Sequence, residues 1–271
     1  MVVRRGSFGN AGAFWLTPVT ATGYRKVIPA IRTSASALCI LVAMRTALII
    51  AVALSARHLP AHAQGSRIVD EGSLTITVNG KTVGRENFRI TATTRGEMTE
   101  YVARADVTYG DRRITPELRT GPQGAVVDYQ VTTRSGAVSE SWKGAVARGR
   151  LNATIASGRG TAAREYIVPA GALILDDEII HHHWFLVLRA RDGGMPVVVP
   201  RRDNVQATIT MSTVGEETLP IGNHDLVATH LRATVSGAEV HDIWVDRSGR
   251  LLKVALPSKG LVAVRDDPPP A

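Results

Sequence analysis

The chain has 271 residues and a formal net charge of +8, which by itself suggests a basic protein that seeks phosphate groups. Seven of its 32 Lys and Arg and none of its 24 acids lie in the first 63 residues, so residues 64–271 carry 25 cations against 24 acids. The long part of the chain is therefore close to neutral, and the main electrostatic argument for a nucleic-acid partner is lost.

The basic leader has the three-part form of an export signal. A positive start is followed by the apolar run "ALIIAVAL" and then by "AHA". We expect cleavage after Ala63 and a periplasmic or secreted mature protein. Met44 can itself start a compact signal peptide over 44–63, which makes residues 1–43 an upstream extension. A start at Met1 or at Met44 leads to the same mature chain.

A retained membrane anchor is the competing interpretation, because the apolar stretch 38–54 is almost long enough to span a bilayer. Arg45 lies in its middle, where a charge costs roughly 2.5–3.5 kcal/mol on insertion scales. A cleaved signal is therefore favoured, which leaves no integral membrane domain in the mature protein. The chain's one cysteine, Cys39, lies upstream of the expected cut, so the mature protein has neither a disulfide framework nor thiolate chemistry.

Residues 64–265 read as one β domain, because apolar and polar residues alternate with a period of two between short turn signals. In the first hairpin the apolar residues of "SLTITV" share a face, and Asn79 and Gly80 form a turn whose residues tolerate positive φ. Connections such as "RSG" and "DRSG" are too short for parallel crossovers, so about a dozen strands are expected to form one antiparallel sheet. A sheet of that size must curl, split or close. The prolines of "RDDPPPA" predict a disordered tail at 266–271.

The stretch "LILDDEIIHHHWFLVLRARDGG" breaks the alternation, since its apolar residues come in clumps. Acids crowd its start, two arginines lie near its end, and two glycines follow, which is the order that helix caps and the helix dipole favour. Ile180, Trp184 and Leu188 repeat at intervals of four and form an apolar stripe. We therefore predict one helix near 177–191, with the sheet curled around it as a half-barrel or β-clam.

Three consecutive histidines, His181 to His183, stand beside three acids and raise the question of a metal or catalytic site. On a helix their side chains diverge by about 100° per residue, so they cannot hold one ion together. Asp177 and His181 lie four residues apart on one face and could share a hydrogen bond or a proton, which gives a hydrolase alternative. Capping is the more common role of two acids such as Asp176 and Asp177 at a helix start.

Were the segment a strand instead, His181 and His183 would share a face. They could then supply two of the three protein ligands that a catalytic zinc needs, with His230 or His241 as the third. The helical interpretation predicts no metal or other cofactor. The sequence also contains no G-x-S-x-G elbow, Walker loop, H-E-x-x-H or C-x-x-C motif, so an enzyme is the less favoured class.

From Ser73 onward the order of features resembles a group of uncharacterised bacterial envelope proteins of unknown function. Five motifs carry the resemblance, in this order: "NGKTVGRENFRI", "LILDDEIIHHHWFL", "PVVVPRR", "DIWVDRSGRLLKV" and "RDDPP". Asp177 stands where that family has an asparagine. The resemblance implies an antiparallel sheet curled into a half-barrel or clam around a helix, similar to the lipoprotein-carrier folds of the Gram-negative periplasm. It implies no established activity, and so it transfers no catalytic residue.

These expectations favour a non-enzymatic binding or carrier protein whose concave face holds a lipid or another apolar or amphipathic envelope molecule. The candidate ligand-binding residues are aromatic or apolar: Trp184, Phe185, Leu188, Trp142 and Trp244. The tryptophans could equally be core residues, because aromatic side chains dominate core burial. A His/Asp- or zinc-dependent hydrolase and an envelope assembly protein that engages partners through strand edges are the alternatives. The sequence indicates no oligomeric state.

Overall fold

The computed structural model describes residues 65–190, 193–201, 205–236 and 238–270. These residues form fifteen strands, one α-helix and three short 3₁₀ turns. The strands are β1 (Gly65–Val78), β2 (Lys81–Arg95), β3 (Met98–Tyr109), β4 (Arg112–Thr120), β5 (Val126–Ser135), β6 (Val138–Ala147), β7 (Arg150–Ser157), β8 (Gly160–Ile167), β9 (Leu173–Ile174), β10 (Met195–Val199), β11 (Val205–Ile221), β12 (His224–Val235), β13 (Glu239–Val245), β14 (Leu251–Leu256) and β15 (Leu261–Arg265). The helix α1 spans His183–Leu188 and follows the 3₁₀ turn Ile180–His182; the other turns are Pro122–Gly124 and Pro257–Lys259.

All fifteen strands belong to one curled, unclosed sheet in the order β8-β7-β6-β5-β4-β3-β2-β1-β15-β14-β13-β12-β11-β10-β9. The predicted mainly-β fold with a single curled sheet is confirmed, with fifteen strands in the described residues where the sequence predicts about a dozen. β1 lies at the centre because it pairs antiparallel with both β2 and β15. The sheet therefore has an N-terminal wing (β2–β8) and a C-terminal wing (β9–β15).

One strand pair departs from the antiparallel pattern. β9 and β10 run parallel, with Leu173 opposite Val197. A parallel pair needs a crossover of a dozen or more residues, and residues 175–194, which include α1, supply it. The buried apolar residues of α1 belong to the same core cluster as the inward-facing residues of both wings. The helical segment is therefore a crossover connection that fills the concave side of the sheet.

The helix is shorter than the predicted 177–191. Helical structure covers 180–188, because Ile179 is extended at φ −117° and Arg189 leaves helical geometry at φ −107° and ψ 3°. The predicted acidic caps are wrong, since no acidic residue lies in the first turn of the described helix. Glu86 of β2 binds the amides at the helix start instead. The start of the helix is therefore determined by a residue of a distant strand, and the local sequence does not indicate it.

The alternation of apolar residues places one face of each strand in the common core. In β2, Glu86, Phe88 and Ile90 are buried on one inward face, whereas Asn87 and Arg89 between them are exposed. Asn79 and Gly80 have positive φ of 49° and 77°, as the predicted hairpin turn requires. Local patterning therefore sets the first hairpin and its register.

The junction of β1 with β15 contains a buried ion pair. Nη1 of Arg265 lies 2.9 Å from Oδ1 of Asp70, and both residues are only 2% exposed. Asp70 also accepts a hydrogen bond from the Leu251 amide at 2.9 Å. Burial raises the pKa of Asp70, although the charge of Arg265 lowers it. The pair thus ties β1, β14 and β15 together where the two wings meet.

The outer face of the C-terminal wing carries a second, smaller apolar cluster. Its buried members alternate with residues of the main core along β11 to β14: Leu219, Ile221, Ala228, Trp244 and Leu252. Residues 266–270 form neither helix nor strand, but they contact the sheet. The Asp266 amide donates to the Ser73 carbonyl at 2.9 Å, and Thr75 Oγ1 donates to Asp266 Oδ1 at 2.6 Å. Within the described residues, no helix has the length and apolar character needed to cross a bilayer.

Candidate functional site

Glu86 binds the start of the helical segment from across the core. Its side chain is fully buried, and its carboxylate accepts hydrogen bonds from the Ile180 amide at 2.7 Å and the His181 amide at 2.8 Å. The carboxylate also contacts Nδ1 of His181 at 2.7 Å, while Phe88 stacks on the His181 ring at a centroid distance of 5.8 Å. A carboxylate at a helix start satisfies amides that have no partner within the helix and is favoured by the dipole. His181 is therefore part of a helix cap.

His182 has a different partner. Its Nδ1 accepts a hydrogen bond from the Asp176 amide at 3.2 Å, which puts the proton of the neutral ring on Nε2. Burial lowers the pKa of His182 well below its ordinary value, and the neighbouring His181 and His183 lower it further. The ring packs edge-on against Tyr129 at a centroid distance of 5.4 Å. His182 is thus a neutral residue of the core.

His183 pairs with His241 of β13. Nδ1 of His183 donates to the Ile180 carbonyl at 2.8 Å, so its Nε2 accepts from Nδ1 of His241 at 3.0 Å. Burial lowers the pKa of His183 to about 3. Burial also lowers the pKa of His241, against the raising effect of Glu239, whose Oε1 lies 3.3 Å from its Nε2. The two rings form a hydrogen-bonded chain that fixes the helical segment to the C-terminal wing.

Asp176 and Glu178 form an ion-pair cluster with two arginines. Asp176 accepts hydrogen bonds from the Tyr129 hydroxyl at 2.8 Å and from Nε and Nη2 of Arg201 at 2.7 and 2.6 Å. Arg112 binds both carboxylate oxygens of Glu178, and Nη2 of Arg201 lies 2.9 Å from the same carboxylate. Burial lowers the pKa of Arg201, but the hydrogen bond and charge of Asp176 raise it above its ordinary value overall. Both guanidiniums are therefore held in fixed positions by ion pairs.

These contacts show that the residues proposed as metal ligands or as catalytic residues do not come together at one site. His183 and His241 meet, but His181 is bound to a glutamate. His230 lies on the outer face, with its two ring nitrogens 3.0 Å from two different carboxylates. Asp177 lies 3.2 Å from the lysine that ends the 3₁₀ turn after β14. In the part of the chain that the structure describes, no group of three or more His, Cys, Asp or Glu side chains could hold a metal ion.

A cavity of about 220 Å³ lies on the concave face of the N-terminal wing, beside the loop that follows β10. Its wall combines apolar and polar side chains, among them Val131, Trp142, Ile155, Tyr166, Arg112 and Arg201. Trp142 is 4% exposed and Tyr166 5% exposed. The indole Nε1 of Trp142 and the hydroxyl of Tyr166 have no hydrogen-bond partner in the described protein. Other atoms of these two rings therefore line the cavity, whereas the two polar atoms are themselves inaccessible. We call the space the Trp142 cavity.

The five predicted ligand-binding residues are divided among three places. Trp142 lines the cavity. Trp184 and Phe185 are buried in the main core, and Leu188 packs on that core at the end of α1. Trp244 belongs to the outer apolar cluster, where it stacks on an imidazole at 4.3 Å and lies under a lysine ammonium at 4.2 Å. The structure therefore brings one of the five to a cavity.

Sequence reasoning misses the residues that hold the helical segment. Glu86 has a readable signal, because the alternation that buries Phe88 and Ile90 places this acid on the same inward face, where it needs a partner. Arg112 and Arg201 have no comparable signal, since Arg112 begins a strand after a turn and Arg201 lies in a loop. Their roles arise from contacts between segments far apart in the chain.

Comparison with known proteins gives a likeness of fold. No family model matches the chain, and no curated protein matches it. Among solved structures, the chain is similar to the crystal structure of a β-barrel-like protein of domain of unknown function DUF1849 from Brucella abortus. The two share 9% sequence identity with a TM-score of 0.38, and the alignment covers 75% of this chain and 96% of that chain. The chain is thus similar to an uncharacterised β domain of unknown function.

Proposed function

We propose that this chain is a non-enzymatic binding or carrier protein that takes an apolar or amphipathic small molecule of the bacterial envelope into the Trp142 cavity. The observation that carries the proposal is a cavity whose wall combines apolar side chains such as Val131 and Ile155 with the guanidiniums of Arg112 and Arg201. Ligand sites are typically concave and mostly apolar, with a few polar groups that fix orientation. We propose a periplasmic location after cleavage at Ala63; this cleavage site and the leader lie outside the described residues.

The volume of the cavity limits how much of a ligand it can enclose. About 220 Å³ corresponds to roughly seven water molecules at about 30 Å³ each. Sites for drug-sized ligands usually measure about 300–1,000 Å³. The cavity therefore suits a small molecule or one end of a longer amphiphile whose remainder lies outside. A lipid-like ligand also agrees with the proposed similarity to lipoprotein-carrier folds.

The contacts of the histidine segment support a non-catalytic role. A general base must present a free ring nitrogen to the proton that it removes. Nδ1 of His181 is bound to Glu86, and both ring nitrogens of His183 are bound, to the Ile180 carbonyl and to His241. Nε2 of His181 and of His182 has no protein partner, but both rings are fully buried, so neither nitrogen is accessible to a substrate. These rings serve to attach the crossover connection to the sheet.

The test is to purify the mature protein, 64–271, from its native envelope and to analyse a solvent extract by mass spectrometry. We expect a co-purifying small molecule, and we expect a fluorescent fatty-acid probe to displace it at one site per chain. Ile155→Trp adds bulk to the cavity wall and should abolish probe binding. Val138→Trp adds the same side chain at a position that is 61% exposed and should leave probe binding unchanged.

Two outcomes would overturn the proposal. One is an empty extract together with no binding of the probe. The other is equal probe binding by wild type, Ile155→Trp and Val138→Trp, provided that circular dichroism shows all three to be folded. Extraction of a protein partner in place of a small molecule would favour the envelope assembly alternative.

A further inference from the structure

The two edges of the curled sheet differ in length and in burial. One edge is β9, which has two residues, Leu173 and Ile174, and both are buried. The other edge is β8, which has eight residues, and every residue from Gly160 to Glu165 is exposed. An edge strand presents backbone N–H and C=O groups that have no strand partner, and proteins usually protect such a row. Here one edge is short and buried, and the other is long and accessible.

The usual protective features are missing from β8. Its pairing with β7 runs without a register shift from Gly160 to Ile167, so no bulge bends the edge away. Its sequence contains neither proline nor lysine, and its two charges, on Arg164 and Glu165, are adjacent and opposite in sign. In the part of the chain that the structure describes, β7 is the only strand neighbour of β8. The edge is therefore suited to the addition of a further strand.

Two hydrogen bonds show which backbone groups of β8 point away from β7. The Val168 amide, directly after β8, donates to the Gly149 carbonyl at 2.9 Å, whereas the Ile167 carbonyl accepts a hydrogen bond from Nε2 of Gln206 in β11. Along an antiparallel strand, residues that bond to one neighbour alternate with residues that face the opposite side. The residues with outward-pointing backbone groups are therefore Thr161, Ala163, Glu165 and Ile167.

The available part of this edge is symmetrical about Ala163. Gln206 binds the Ile167 carbonyl, so the residues left for a partner are those from Thr161 to Glu165. Two copies of β8 that pair antiparallel about Ala163 place this residue opposite itself and Thr161 opposite Glu165 of the second copy. Each such pair exchanges two N–H···O bonds.

Charge and side-chain size favour this register over its neighbours. With the two-fold axis at Ala163, Arg164 lies opposite Ala162 of the second copy, and no two like charges lie directly opposite each other. An axis at Arg164 or at Glu165 opposes two like charges, and an axis at Ala162 pairs only two of the three outward residues. The alanines at the axis are small, so they do not obstruct the approach of the strands.

We propose that this protein forms a homodimer in which the β8 edges of two copies pair antiparallel about Ala163 and join the two curled sheets into one. A two-fold interface uses the same surface of both copies, and the symmetrical edge satisfies that condition. The pairing uses backbone groups and does not depend on the ligand proposed above. A single strand pair buries less than the roughly 1,200–2,000 Å² of a stable interface, so the dimer dissociates on dilution.

Sedimentation of the mature protein, 64–271, over a range of concentrations tests the dimer. Ala163→Pro removes an outward-pointing N–H that takes no part in the pairing with β7, so the monomer should keep its fold. We expect its dimerisation to be weaker by about tenfold or more, because hydrogen bonds at the axis are lost from both copies. Ala163→Ser keeps the N–H and should dimerise like wild type.

Three results of the sedimentation experiment would overturn the proposal. One is a monomeric wild type at every concentration. Another is a dimer of unchanged strength in Ala163→Pro, provided that circular dichroism shows the variant to be folded. The third is an equal loss of dimerisation in Ala163→Ser.

Cysteine cross-linking tests the register without a proline, because the mature chain contains no cysteine. Ala163→Cys places two thiols on the two-fold axis, where opposed Cα atoms of a hydrogen-bonded pair lie about 5.5 Å apart, within the range of a disulfide. The two copies of Thr161 lie four residues apart along the strands, or roughly 14 Å. We therefore expect a disulfide-linked dimer from Ala163→Cys under mild oxidation and none from Thr161→Cys.

The double variant Thr161→Cys with Glu165→Cys restores opposed thiols and should cross-link again. No cross-linking of Ala163→Cys, or equal cross-linking of Ala163→Cys and Thr161→Cys, would overturn the proposed pairing. The same oxidation of Ala163→Cys in an envelope extract tests the identity of the partner. We expect a product of twice the mass of the chain. A product of another mass, formed in place of the dimer, would identify a different protein as the added strand and overturn self-pairing.

Discussion

The helical segment and the Trp142 cavity differ in how their polar groups are satisfied. Residues 176–183 hold three acids and three histidines, and each histidine ring makes at least one hydrogen bond within the protein, although Nε2 of His181 and of His182 has no partner. The cavity has a much weaker sequence signal, yet Trp142 and Tyr166 present polar atoms that no described protein group binds. The segment that is conspicuous in sequence is thus held by contacts within the protein, and the region with the weaker sequence signal borders a cavity.

The difference has a physical cause in the topology. The parallel pairing of β9 with β10 requires a connection of about twenty residues, and the helical part of this connection lies on the concave side of the sheet. Backbone and charged groups placed there lose water and must find partners. Glu86, His241 and Arg201 supply those partners from three different parts of the chain. Chemically versatile residues can therefore accumulate in a segment because it is buried, without taking part in a reaction.

The structural role of the helical segment is tested most strongly by substitutions of Glu86. Glu86→Ala removes the acceptor for two helix amides and for His181, and leaving such a buried network uncompensated costs about 3–5 kcal/mol. We expect that loss in the free energy of unfolding measured with urea. Glu86→Gln keeps one carbonyl oxygen and should lose less. Glu100→Ala, at an exposed position of β3, is the control and should change stability by no more than about 0.5 kcal/mol. A loss below about 1 kcal/mol in Glu86→Ala would contradict the structural role.

The next largest loss of stability is expected for a substitution of Tyr129. Its buried hydroxyl donates to Asp176 at 2.8 Å, and burial together with the charge of Asp176 raises the pKa of Tyr129 well above its ordinary value. Tyr129→Phe removes that hydrogen bond and nothing else, while Asp176 keeps its ion pair with Arg201. A hydrogen bond to a charged group contributes about 1.5–3 kcal/mol, so we expect a loss of that size in urea unfolding. Unchanged stability would show that the hydroxyl is not needed to hold Asp176.

The buried histidines predict a pH dependence of stability. The folded pKa of His183 lies near 3, below its ordinary value of 6.5, so the unfolded chain binds the proton first as the pH falls. The stability that the neutral ring contributes is complete above pH 6.5 and declines below it. The loss between pH 6.5 and pH 5.5 is roughly 1 kcal/mol for this ring.

His183→Phe tests this by removing the titrating ring. We expect the variant to be less stable at pH 7, because it lacks the hydrogen bonds to the Ile180 carbonyl and His241, but to lose about 1 kcal/mol less than wild type between pH 6.5 and pH 5.5. Most carboxyl groups titrate below this window. His224→Gln, at an exposed position, is the control and should keep the wild-type slope. The same slope in His183→Phe would show that the ring is not a source of the dependence.

The fold could largely be predicted because its signals are local. Period-two alternation and turns such as Asn79-Gly80 require only neighbouring residues, and they give the strands and the curled sheet. The ends of the helix could not be predicted in this way. The acids Asp176 and Asp177 have the right position for caps, but the actual cap, Glu86, lies 94 residues before Ile180.

The candidate site was still less accessible to prediction. Aromatic content identifies Trp142, Trp184 and Trp244 alike. All three lie in apolar clusters, and only the tertiary structure shows that Trp142 also borders a cavity. Tyr166 occupies an ordinary inward-facing position of β8. Whether its hydroxyl finds a partner depends on side chains from other strands, so no local pattern marks it.

The smallest change in stability is expected for Tyr166→Phe, which is compared here with Tyr129→Phe. Tyr166→Phe is the same chemical change as Tyr129→Phe, made at a buried tyrosine whose hydroxyl has no protein partner. Removing a hydroxyl that makes no hydrogen bond in the protein leaves no unpaired group behind, so we expect stability without ligand to be unchanged or higher by up to about 1 kcal/mol. Urea unfolding of the two variants side by side measures the contrast. A loss in Tyr166→Phe as large as that in Tyr129→Phe would mean that the hydroxyl is satisfied within the folded protein, and the distinction between the helical segment and the cavity would then be lost.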